Sequence, residues 1–138
     1  MSYKNFFGFQ KEPFPQDICL EDLYPLPGLQ AAMERFLYAM NLGAVSIITG
    51  DVGSGKSTAL RHAAGKLHPS QYKVVYVVAT TGSIADILRQ ICNGFDLDGQ
   101  TNSLAKLTRI LRTAVMEITQ RKQTPVLIID EAQNLTPH

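Results

Sequence analysis

The residues of this chain best suited to chemistry are Lys56, Ser57, Asp130 and Glu131. The first two close the run Gly50-Asp51-Val52-Gly53-Ser54-Gly55-Lys56-Ser57, which matches G-x-x-x-x-G-K-[ST]. Its four fixed positions coincide by chance in roughly one chain of this length in a few hundred. Glycines in such a turn let backbone N–H groups approach phosphate oxygens with no Cβ in the way. A helix starting at the lysine adds its partial positive charge. The Lys56 ammonium then reaches β- and γ-phosphates, and the Ser57 hydroxyl is a ligand for Mg²⁺. Thr58 either adds an α-phosphate contact or merely occupies the first helical turn. Arg61 and His62 read as solvent-facing helix residues.

Asp130 and Glu131 follow four apolar residues, Val126-Leu127-Ile128-Ile129. They fall at the C-terminal end of a strand, where parallel α/β sheets bind ligands. Asp130 there holds Mg²⁺, usually through water. Glu131 is placed to polarise a water for in-line attack on a γ-phosphate. Strands often end in acids, so the pair gains its meaning from the glycine-rich run upstream. A glutamate directly after the metal-linked aspartate also marks the ATP hydrolases of this kind from kinases and GTPases.

The elements that must position these residues are legible in the pattern. Val45 to Thr49 reads as a short buried strand running into the glycine turn, and a helix runs out of it from Lys56 to about Leu67. A helix over 28–42 carries Leu29, Met33, Phe36, Leu37 and Met40 at helical spacing, with Gly43 as its stop. Lys73 to Ala79 is a second strand, rich in β-branched residues. Ser83 and Asp86 open a helix that ends at Gly94. A long amphipathic helix covers 104–122, and Pro125 to Asp130 is a third strand. Strands alternate with helices and are nearly continuously apolar, which predicts an α/β fold: a parallel sheet with helices on both faces. Residues 1–27 read as an irregular segment broken by Pro13, Pro15, Pro25 and Pro27, its phenylalanines anchoring it on the core formed by 28–138.

Composition narrows the classes. The chain has 138 residues, 45% of them hydrophobic, enough for one domain with a core. A net charge of +1 gives no global pull toward nucleic acid or an anionic surface. No run is long and apolar enough for a membrane span, and no signal peptide opens the chain, so the expectation is a cytoplasmic protein. Cys19 and Cys92 form no C-x-x-C and read as reduced, small apolar residues. His62, His68 and His138 lack zinc spacing.

Three stretches together resemble a family. Tyr3-Lys4-Asn5-Phe6-Phe7-Gly8-Phe9 with Pro13-Phe14 and Asp22-Leu23-Tyr24 resembles the head of ExeA/GspA-type ATPases of the AAA+ superfamily. The phosphate loop and Ile128-Ile129-Asp130-Glu131-Ala132-Gln133-Asn134-Leu135 are similar to the same family, though more widely shared. The resemblance implies a P-loop NTPase with ATP and Mg²⁺ as ligands, contacts from Gly53, Gly55, Lys56, Ser57, Asp130 and Glu131, and homo-oligomers. It implies that 23–28 lies against the adenine, with Leu29 where the family often has a histidine. It further implies sheet order 5-1-4-3-2, with a fourth strand between the phosphate-loop strand and the Asp130 strand. That strand, a fifth, a polar sensor residue, an arginine finger and a helical lid fall after His138. The chain therefore reads as the N-terminal part of an AAA+ domain, truncated after the Walker B strand. By itself it is expected to bind nucleotide poorly, hydrolyse it negligibly and self-associate through unpaired strand edges.

Two roles fit the family: a transposase's DNA-binding helper, or an ATPase acting on cell-envelope secretion components. For the first, Lys106, Arg109, Arg112, Arg121 and Lys122 stand on the long helix against one acid, Glu117. A plain solvated face is the competing reading, because these charges do not all share one stripe.

Overall fold

The computed structural model describes residues 2–15, 18–24 and 26–135. Pro25, read above as a breaker, and His138 lie outside them. Five helices and two strands run in the order α1 (Tyr3–Phe7), α2 (Pro27–Leu42), α3 (Lys56–Gly65), β1 (Tyr72–Val78), α4 (Ile84–Gly94), α5 (Leu104–Gln120) and β2 (Thr124–Asp130). Short 3-10 turns occupy Leu20–Asp22 and Ala132–Asn134.

β1 and β2 pair in parallel, from Tyr72 opposite Thr124 to Val78 opposite Asp130. The ladder extends past both ends, with Thr124 N–H donating to the Gln71 carbonyl at 2.7 Å and Ala79 N–H to the Asp130 carbonyl at 2.9 Å. Strand alternation divides the core. On one face Val126 and Ile128 pack with Phe36 of α2, Ala63 of α3 and Leu67. On the other, Val75, Val77 and Ala79 pack with Ile87 and Ile91 of α4, and Leu111 of α5 lies against them. Helices thus cover both faces of a parallel sheet, which is the three-layer α/β arrangement that the alternating pattern predicts.

The helix boundaries follow local chemistry. Pro27 sits at the first turn of α2, where its missing N–H costs nothing. The Ser83 hydroxyl accepts from Asp86 N–H at the start of α4, as the sequence predicts. Ser103 caps α5 in the same way through Lys106 N–H.

The strand expected over 45–49 is not formed. Residues 44–49 take no ladder partner, and Val45 and Ile47 are 94% and 82% exposed. β propensity becomes a strand only beside a hydrogen-bonding neighbour. Here a groove of about 600 Å³ separates the segment from β2, lined by Ala44 to Ile48 on one side and Thr124 to Asp130 on the other. The sheet among the described residues therefore has two strands rather than three.

The N-terminal segment also differs from irregular chain. Tyr3–Phe7 make one helical turn, and the Phe7 ring contacts both Phe6, edge-to-face at 4.9 Å, and Phe9. Phe6, Phe7 and Phe14 are 73%, 64% and 90% exposed. Ion pairs from Lys4 to Glu12 and from Lys11 to Asp22 tie the segment to itself. Leu20 reaches Gly65 of α3. Cys92 is buried and desolvation pushes its thiol up, whereas Cys19 is exposed. No helix among the described residues is long and apolar enough to cross a membrane.

Candidate nucleotide site

The glycine-rich run forms a turn into α3. Gly53 and Gly55 take φ of 78° and 86°, a region that residues with a Cβ avoid. Ser54 N–H closes the turn on the Asp51 carbonyl at 3.2 Å. Val52 stands fully exposed at the tip. Lys56 bends back across the loop, its ammonium donating to the Gly50 carbonyl at 2.8 Å and the Asp51 carbonyl at 2.7 Å. The N-cap of α3, Gly55, offers no side-chain acceptor to the first-turn N–H groups. Phosphate oxygens are the acceptor such a terminus suits. Thr58 is half-buried in that first turn.

Asp130 ends β2 on the face that carries Val126 and Ile128, toward α3. Burial alone would push its carboxyl up. Hydrogen bonds from Tyr76, Ser57 and the Glu131 backbone, with the Lys56 charge, outweigh that and hold it below the usual carboxylate value. Tyr76 donates to Oδ2 at 2.5 Å and Glu131 N–H to Oδ1 at 2.9 Å. The Tyr76 phenol is pushed up, by burial first and then by that bond. An ionised carboxylate beside a serine hydroxyl is an all-oxygen donor pair, which fits Mg²⁺. The described residues hold no cluster of three or more His, Cys, Asp or Glu that could form a full protein cage. A cation that keeps several waters and leans on substrate phosphates needs none.

Glu131 follows in the left-handed region, with φ 56° and ψ 33°. Its carboxylate is exposed and accepts from the Gln133 amide. Asn134 Nδ2 donates to the Ala79 carbonyl at 2.7 Å and pins this turn to the end of β1. Lys56, Asp130 and Glu131 line the same groove beside β2. A larger cleft of about 820 Å³ lies at the opposite strand ends, by Tyr72, Lys73 and Gln123, and includes none of the motif residues.

The structure thus brings Lys56, Ser57, Asp130 and Glu131 together from α3 and the end of β2. Sequence reasoning missed Tyr76, Gln133 and Asn134 as their neighbours. Tyr76 carried one signal, a hydroxyl set between valines, but its partner depends on register, which the sequence does not print.

A family model described as an AAA domain matches residues 41–138. No curated protein and no solved structure matches the chain.

Proposed function

This chain belongs to the AAA domain family, and from that premise we propose that it binds Mg-ATP between the 50–57 loop and the end of β2, with ATP hydrolysis as the reaction carried out there. The observation that carries this reading is the convergence of the α3 N-terminus, with Lys56 and Ser57, on the ionised Asp130. Phosphates lie on the loop N–H groups and Lys56. Ser57 and, through water, Asp130 would hold Mg²⁺ beside them. Bound Mg²⁺ supplies neutralisation of charge developing on the phosphates. Glu131 acts as the base for water, and its exposed carboxylate in the shared groove supports that role. The head residues 3–9 support the ExeA/GspA type within the family.

Equilibrium binding of ATP with magnesium to the native chain and to Lys56→Ala tests the site. Charge-assisted bonds contribute about 1.5–3 kcal/mol each, so the variant should bind roughly 10- to 150-fold more weakly. Equal affinity would place the phosphates elsewhere. In a protein that turns over, Glu131→Gln should keep binding and lose about 10²–10⁴-fold in rate.

A DNA-binding role in the same protein draws support from α5. Lys106, Arg109 and Arg112 are all exposed at successive i+3 positions, and Arg121 and Lys122 are exposed just beyond its end. Affinity for duplex DNA that falls steeply with salt is the expected signature. Absence of DNA binding at low salt with ATP present would remove this reading.

A further inference from the structure

We propose that Tyr76 is a positioning residue for the metal-linked carboxylate, locking Asp130 in the rotamer that meets Ser57 and a hydrated cation. The proposal rests on the Mg-ATP reading and assigns within it a residue that neither motif contains.

The geometry comes from the sheet. Tyr76 stands opposite Ile128 in the parallel register. Asp130 is two residues further along β2, so it shares the same face and lies one diagonal step from Tyr76. The ring packs with the Phe36, Val126 and Ile128 cluster, which fixes where its hydroxyl lies. From there the hydroxyl donates to Asp130 Oδ2 at 2.5 Å. The other oxygen, Oδ1, takes Glu131 N–H at 2.9 Å. One oxygen is therefore held from the neighbouring strand and the other from the carboxylate's own backbone.

An aspartate χ2 is otherwise broad and roughly two-fold. Two donors on two oxygens remove that freedom. A carboxylate has about four acceptor positions. Tyr76, Glu131 N–H and Ser57 account for three of them, and the remaining direction is set by those three. A phenylalanine would supply the same packing without the bond. The hydroxyl itself is thus the informative atom. Partners of this kind, one bond out from a metal-linked group, change metal affinity by about 10- to 100-fold. Because Asp130 acts through water, the lower end, about 10-fold, is the expectation.

The test uses Mn²⁺ as the spectroscopic probe, with the native chain, Tyr76→Phe, Asp130→Asn and the double variant. Binding of a fluorescent ATP analogue in EDTA reads the phosphate contacts alone. Paramagnetic resonance of Mn²⁺ at saturating nucleotide reads the metal. Tyr76→Phe should match the native chain in EDTA within about twofold and bind Mn²⁺ about 10-fold more weakly. In the Asp130→Asn background the same substitution should cost nothing further, because the acceptor it orients has changed. Unaltered Mn²⁺ affinity in Tyr76→Phe overturns the proposal, and so does an equal loss in both backgrounds, which would mark a general packing effect. A native chain that binds no nucleotide even with metal overturns the Mg-ATP reading and this proposal with it. That failure is distinguishable because it appears before any substitution is made.

Discussion

Glu131 occupies a backbone conformation that costs the fold stability, and replacing it should reveal the cost through an inverted ranking of two small residues. Its φ of 56° and ψ of 33° lie in the left-handed helical region. A residue with a Cβ loses about 1–2 kcal/mol there. Glycine escapes that penalty but loses about 0.5–1 kcal/mol more chain entropy than alanine on folding. Glu131→Gly and Glu131→Ala both remove the carboxylate and its exposed contact with Gln133, so side-chain losses cancel between them. The difference leaves glycine ahead by about 0.5–1 kcal/mol. At an ordinary helix or strand position alanine leads by a similar margin. Unfolding entropy near about 2.1 cal/mol/K per residue gives about 0.29 kcal/mol/K for 138 residues. The Glu131→Gly variant should therefore melt about 2–3 °C above Glu131→Ala. Calorimetry of the two variants in one buffer decides the matter. An alanine variant melting at or above the glycine variant would refute the strain argument. Glu131 thus stands at a position glycine would fill more stably, which accords with the role proposed for its carboxylate.

Other outcomes follow from burial and edges. Ile128, 4% exposed between Phe36 and Ala63, should lose about 2–5 kcal/mol on Ile128→Ala, read as a lower urea midpoint with unchanged slope. A thiol reagent at neutral pH should titrate Cys19 quickly and Cys92 only on unfolding; two fast thiols would contradict the burial of Cys92. Because the folded Cys92 thiol is raised above its unfolded value of 9.0, its contribution is fully present at neutral pH and is lost as pH climbs past that value. The free edge of β2, with Ile47 82% and Leu127 44% exposed beside it, should drive concentration-dependent association. Leu127→Lys should shift sedimentation toward monomer, and a native chain that is already monomeric at all concentrations would refute the edge argument.

Elements whose signals are local were legible in the sequence. The four longer helices, the two paired strands and the Ser83 cap each carry their evidence within a few residues, and each forms at or near the expected bounds. The four chemistry-bearing side chains were legible too, since a glycine turn between a β-type run and a helix leaves Lys56 and Ser57 few places to go. What failed was non-local. Val45 to Thr49 has the composition of a strand, yet a strand is a relation between two segments, and the groove beside β2 withholds the partner. The exception is local: Tyr3–Phe7 close a helical turn within the segment read as irregular.

The same distinction explains why Tyr76 was invisible. In β1 it reads as one more bulky residue among valines, and alternation says only that it shares a face with Val74 and Tyr72. Its importance arises from a parallel register that sets it opposite Ile128, and from the identity of the residue two places further along β2. Asp130 is recognisable as acidic from sequence alone. That it is ionised, fixed at both oxygens and turned toward Ser57 is a property of the pairing. The motifs therefore name the groups proposed to meet the nucleotide, and the sheet decides how rigidly Asp130 is held. Rigidity has a direct energetic consequence for the proposed site, because a carboxylate that must first be ordered before it can hold a cation gives up part of its binding free energy to that ordering.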